Sequence, residues 1–156
     1  MLDATVERCT AAGLRRYEVS AFARAGHRCV HNLNYWQFGD YLGLGAGAHS
    51  KLSFPHRIVR QQRQREPARY MEQALAGAAL SQEHEVARAE LPFEFMLNAL
   101  RLREGFNLTD FAARTGLPLS SIERPMREGL SKGWLVQDGA WVQPTERGFD
   151  FLSDLQ

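Results

Sequence analysis

The chain has 156 residues, 44% of them hydrophobic, enough to bury one ordinary core or two small ones joined by a connector, and this composition argues against disorder. A formal net charge of +1 gives no global field to attract nucleic acid or anionic lipid. No apolar run approaches the roughly 20 residues that span a bilayer, and the start at Met1-Leu2-Asp3-Ala4 lacks the basic and apolar regions of a secretory leader, so the cytoplasm is the expected compartment.

Val6, Cys9 and Leu14 fall near helical spacing before a stop at Gly13, and Leu14 to Ser20 then turns strand-like. Helix, short Gly turn and strand make half of an α/β repeat. No strand precedes it to pair with, so the beginning reads as part of a larger barrel or doubly wound domain.

Residues 21–50 are rich in Gly, His and aromatics and read as loop and tight turns. Residues 51–64 suggest a strand pair ending in a basic run, Arg57, Arg60, Arg63 and Arg65, whose simplest reading is a solvated face. Pro67 opens a short helix reaching Ala76.

Phe93, Phe95, Met96, Leu97, Leu100 and Leu102 give a buried helix ended by Gly105. A helix from Asn107 to Thr115 follows, then a turn at Gly116, and Ser120-Ser121-Ile122-Glu123 has capping-box spacing for another helix. Trp134-Leu135-Val136 and Trp141-Val142 flank Asp138-Gly139 as a hairpin, and Thr145 starts a closing helix. Three helices and a hairpin predict a winged-helix-like domain.

The densest chemistry lies at His27, Cys29, His31, Asn32, Tyr35, Trp36 and Tyr41. An imidazole or thiolate ligates heme iron, and Tyr and Trp give flat walls for a porphyrin. Zinc is disfavoured because no second ligand pair follows. From residue types alone the plainer account is preferred, with His31 and Asn32 bonding backbone and Tyr35 and Trp36 filling a core. The Gly-rich run from Gly43 to Ser50 lacks the spacing of a dinucleotide fingerprint or a Walker loop and reads as close packing. Along the second helix of the C-terminal domain, Glu123, Arg124, Arg127, Glu128 and Lys132 alternate in sign, which favours docking over groove reading; Pro125 is expected to kink its start.

The segment YEVSAFARAGHRCVHNLNYWQFGDYLGLGAGAHS resembles the end of the catalytic barrel in the coproporphyrinogen III oxidase-like radical-SAM family, and His31-Asn32-Leu33-Asn34-Tyr35-Trp36 fits the HNxxYW motif of its heme-chaperone branch. The resemblance implies an α/β plus α+β fold: the C-terminal part of a radical-SAM partial (β/α) barrel over 1–66, a helical connector over 67–90, and a winged-helix-like domain over 91–156. It implies heme handling at His31, Asn32, Tyr35 and Trp36, with His31 as axial ligand or covalent contact and Cys29 as rival ligand. It also places Ala23 and His49 along an S-adenosylmethionine pocket.

The family's CxxxCxxC motif for a 4Fe–4S cluster is absent, because Cys9 and Cys29 are the only cysteines. Without the cluster no 5'-deoxyadenosyl radical forms, so this chain alone is expected to be inactive as a radical enzyme. The expected partners are heme or a porphyrin and a heme-acceptor protein, with no nucleic acid. Self-association through an exposed barrel edge is also expected. Two alternatives remain: a segment of an oxygen-independent coproporphyrinogen III oxidase, and a winged-helix interaction module.

Overall fold

A computed structural model describes residues 2–150 and Leu152, which part into two compact units, one built from the segments up to Phe38 and from Pro92 onward, the other from Gly39 to Leu91. This grouping differs from the linear division at 66 and 90, since composition tracks neighbours in sequence whereas compactness tracks which segments pack together.

The first unit begins with α1, Leu2–Ala11, which ends at Gly13 in the left-handed region. Of the strand-like stretch from Leu14 to Ser20 only β1, Arg15–Arg16, pairs, and it does so antiparallel with β2, Phe22–Ala23. The chain reverses between them: the Tyr17 amide donates to the Ala21 carbonyl at 3.1 Å, and Arg16 Nε donates to the Val19 carbonyl at 3.0 Å. A side chain that closes its own turn leaves too few residues for a longer strand.

Within residues 21–50, read as loop, lies the seven-residue helix α2, Val30–Trp36. The Leu33 amide donates to the Cys29 carbonyl and the Gln37 amide to the Leu33 carbonyl, at 3.0 and 2.8 Å. Phe38 follows with a φ of 57°, in the left-handed region, and its ring is 1% exposed. Burial of a phenylalanine contributes about 2–3 kcal/mol, enough to offset that backbone strain.

The second unit is built on an antiparallel sheet in which β3, His49–Phe54, pairs with β4, Arg57–Arg63, through a turn at Pro55-His56. Helix α3, Pro67–Leu75, is capped by Glu66, whose carboxylate accepts from the Ala68 and Arg69 amides. It leads to β5, Leu80–Glu85, which pairs with β4 although its sequence, LSQEHE, is polar after Leu80 and carries no strand-like alternation.

The first unit resumes at Pro92, within α4, Leu91–Ala99, and continues to β6, Phe106–Asn107. Next comes α5, Leu108–Thr115, capped by Asn107 Oδ1 accepting from the Thr109 amide at 2.9 Å. The expected capping box does not form: a 3-10 turn occupies Leu119–Ser121, and α6, Glu123–Ser131, starts after Ile122 with no side-chain cap. Pro125 lies in the first turn of α6, where amides have no intrahelical acceptor, so it does not break the helix. Strands β7, Leu135–Asp138, and β8, Trp141–Pro144, form the hairpin, β6 adds to β8, and α7, Glu146–Asp150, follows.

The core of this unit is aromatic. Phe95 meets Phe38, Phe106 and Phe111 edge-on at centroid distances of 5.6, 5.1 and 5.2 Å. Leu100, Leu102, Ile122 and Val142 are each at most 1% exposed. All strand pairs among the described residues are antiparallel.

Candidate functional site

Helix α2 carries the residues singled out in the sequence. Cys29 stands at its N-cap in extended conformation, makes no side-chain cap and is exposed. His31 is exposed, and its ring meets Tyr35 edge-on at 4.8 Å with 67° between the planes, the contact expected of neighbours four apart on one helix face. Asn32 and Trp36 are the next such pair, both half-buried.

Trp36 is held from its face. The Arg101 guanidinium lies 4.2 Å from the ring centroid, and Arg101 Nη2 donates to Glu18 Oε2 at 3.3 Å. Glu18 is 2% exposed, and its other oxygen accepts from the Ser20 amide and hydroxyl at 2.9 and 3.0 Å. The Trp36 ring also lines a cleft of about 200 Å³ with Phe95, Leu102, Phe106 and Arg114. Its Nε1 is buried without a hydrogen-bond acceptor. Sequence reading missed Arg101 and Glu18, because nothing local links positions 83 residues apart.

The plainer expectation for this segment holds only in part: Tyr35 and Trp36 are half-buried, while His31 is exposed and available to a ligand. Ala23 is buried on β2 in the first unit, and His49 is exposed at the start of β3 in the second.

The basic run of the second unit is more than a solvated face. Arg60 Nη1 donates to the Tyr41 hydroxyl at 2.8 Å, and Arg63 Nε to the Gly43 carbonyl at 2.7 Å. The Ser50 and Tyr70 hydroxyls accept from the Gly43 and Gly45 amides. A Cβ on Gly43 would lie 2.1 Å from the His49 carbonyl oxygen, so this stretch is tightly packed, as its small residues imply.

The residues present do not fit a 4Fe–4S cluster. The sequence has two thiols, Cys9 half-buried on α1 and Cys29 exposed, where three or more are needed. Among the described residues no group of three or more His, Cys, Asp or Glu is arranged to hold a metal ion.

Residues 86–151 match the family model described as the HemN C-terminal domain. Over 147 residues, 94% of this chain, the sequence is 42% identical to the heme chaperone HemW of Escherichia coli K12 and 41% identical to that of Haemophilus influenzae. The chain spans 38% and 37% of those two proteins. A solved structure of the coproporphyrinogen III oxidase HemN from Escherichia coli, described as a radical SAM enzyme, superposes with a TM-score of 0.66 at 17% identity, covering 99% of this chain and 38% of that one. At that identity the likeness speaks for the fold alone. The chain is thus similar in sequence to HemW proteins over nearly its whole length, matches the HemN C-terminal domain model over residues 86–151, and shares the fold of part of the HemN radical-SAM structure.

Proposed function

We propose that this chain binds heme through α2 and passes it to an acceptor protein, with His31 as axial ligand or covalent contact and Cys29 as its rival. The observation that carries this reading is the exposed His31 imidazole, set edge-on to Tyr35 beside the exposed Cys29. An exposed imidazole meets heme iron without unfolding its helix, and the neighbouring aromatic ring offers an apolar surface to the porphyrin. The similarity to proteins named heme chaperones supports the same assignment. Asn32 and Trp36 then shape the adjoining face of the helix.

Ala23 and His49 are read as lining an S-adenosylmethionine pocket in a longer relative, and no step is assigned to them here. Residues 1–66 are read as the end of a partial barrel and 91–156 as a winged-helix-like docking domain, with β7 and β8 as the wing. No helix among the described residues is long and apolar enough to cross a membrane, and a cytoplasmic setting is part of this reading.

Hemin titration followed by visible absorption tests the proposal, on the chain and on His31→Ala and Cys29→Ala variants. A saturating one-to-one Soret shift that disappears in His31→Ala is the expected result. Loss in Cys29→Ala alone transfers the ligand role to the thiol. A folded sample with no specific shift overturns the reading, and equal optical responses of the parent and both variants point to porphyrin binding without axial coordination.

A further inference from the structure

A second cleft of the first unit, about 450 Å³ in volume, lies between the β1–β2 ribbon and the Arg103–Glu104 segment. Arg15, Arg16, Arg24, Arg28 and Arg103 line it, against one carboxylate, Glu104. Glu104 is engaged by Arg28, and Arg103 is paired at its rim with Glu146. Arg16 spends its guanidinium on the Glu18 and Val19 carbonyls. Among the described residues Arg15 and Arg24 are paired with no carboxylate, and both are exposed.

The positive charges crowd one another. Arg16 and Arg103 both sit over the Phe149 ring, at 5.3 and 5.1 Å from its centroid. Burial first, and the neighbouring Arg16 charge second, hold the Arg103 guanidinium below its usual range in spite of Glu146. A cleft in which like charges are gathered and only partly neutralised is stabilised by an anion, and planar guanidinium forks match the two oxygens of a carboxylate. One wall is aromatic: Tyr17 is 6% exposed, with Arg28 at 5.8 Å from its ring centroid.

We propose that this cleft is a carboxylate-binding subsite for the propionate edge of a tetrapyrrole, an inference that rests on the heme-handling reading of α2. Arg28 precedes His31 by three residues, so the chain separates them by at most about 11 Å, the scale of a tetrapyrrole. The cleft supplies charge recognition, and α2 supplies the iron ligand.

The test compares iron-free protoporphyrin IX, its dimethyl ester and hemin, binding each to the chain, to an Arg15→Gln/Arg24→Gln double variant and to His31→Ala. Both substituted arginines are exposed, so the variant should fold, as a thermal melt would verify. The free acid should bind about tenfold or more tighter than the ester, and the double variant should lose that advantage, since charge-assisted hydrogen bonds to a carboxylate are roughly twice as strong as neutral ones. Added salt should erode it further. Equal affinity for acid and ester, an unaffected double variant, or no porphyrin binding at all overturns the subsite. The heme reading survives the first two results if the hemin Soret shift still depends on His31. Conversely, arginine-dependent porphyrin binding with an inert His31→Ala keeps the subsite and removes the ligand assignment. Displacement by pyrophosphate, where succinate at the same concentration has no effect, would reassign the cleft to phosphates and also overturn it.

Discussion

Arg101 lies 4.2 Å over the Trp36 ring while its Nη2 reaches the buried Glu18 carboxylate, so one guanidinium ties the end of α2 to the turn after β1. Arg101→Gln would leave Glu18 buried without its cation. Breaking a buried pair costs about 3–5 kcal/mol, and because Arg101 is 28% exposed the lower end, about 3 kcal/mol, is expected from urea unfolding. Trp36→Phe should cost about 1–2 kcal/mol, since it weakens the cation–π contact and trims a half-buried ring while removing an N–H that has no acceptor. A larger loss from Trp36→Phe than from Arg101→Gln would contradict this account.

Two glycines of one run should respond differently. Alanine at Gly43 would drive its Cβ to 2.1 Å from the His49 carbonyl oxygen, against backbone that has little room to move. Gly45 has open space but a φ of +102°, which leaves only the strain of an unfavourable backbone. Gly43→Ala is expected to destabilise by about 3 kcal/mol or more and Gly45→Ala by about 1–2 kcal/mol, read from denaturant midpoints.

The Asp40 carboxylate gives the second unit an acid-sensitive contact. Burial alone would raise its pKa, but the Ser53 hydroxyl, the Ser53 amide and the Lys51 ammonium together outweigh that effect and hold it below the usual range. A lowered folded-state pKa means that the stabilisation is complete above the ordinary aspartate range near about 4 and fades as pH falls through the folded value. Lys51 is 2% exposed, whereas Asp40 is 44% exposed, so Asp40→Asn should cost about 2 kcal/mol at neutral pH. The same variant should flatten the pH dependence of unfolding below about 4, and an unchanged acid limb would rule this contact out as its source.

Cys29 is exposed and Cys9 half-buried, so a thiol reagent such as Ellman's should titrate Cys29 first. Prior addition of one equivalent of hemin should slow that reaction if the ligand sits against α2. An unchanged rate would place any bound heme away from Cys29.

Helix α6 pairs its own charges: Glu123 with Arg127 and Glu128 with Lys132, each at 2.6 Å. The Lys132 hydrogen bond also holds Glu128 below the ordinary glutamate range. No salt-sensitive retardation of duplex DNA is expected from the chain, whereas Glu123→Gln/Glu128→Gln should release two cations and raise weak, sequence-independent binding. Tight, salt-dependent binding by the unmodified chain would favour the nucleic-acid form of the interaction-module alternative.

Local signals carried much of this protein. Gly13 and Gly116 end helices, Asn107 caps one, Pro67 opens one, and the apolar spacing around Phe95 marks α4, because each effect is decided within a turn or two of chain. The motif at His31, Asn32, Tyr35 and Trp36 was likewise legible as chemistry, though its helix was not: seven residues without an apolar stripe look like loop. Strand β5 stayed hidden for a similar reason, since a polar edge sequence gains its order from hydrogen bonds to β4.

The remaining features depend on residues far apart in sequence. Arg101 reaches Glu18 across 83 positions, and Arg103 joins Arg15, Arg16, Arg24 and Arg28 around one cleft. Electrostatic and cation–π interactions act over a few ångströms of space, whatever the separation along the chain, so the candidate ligand is legible in local sequence while its surroundings arise only on folding.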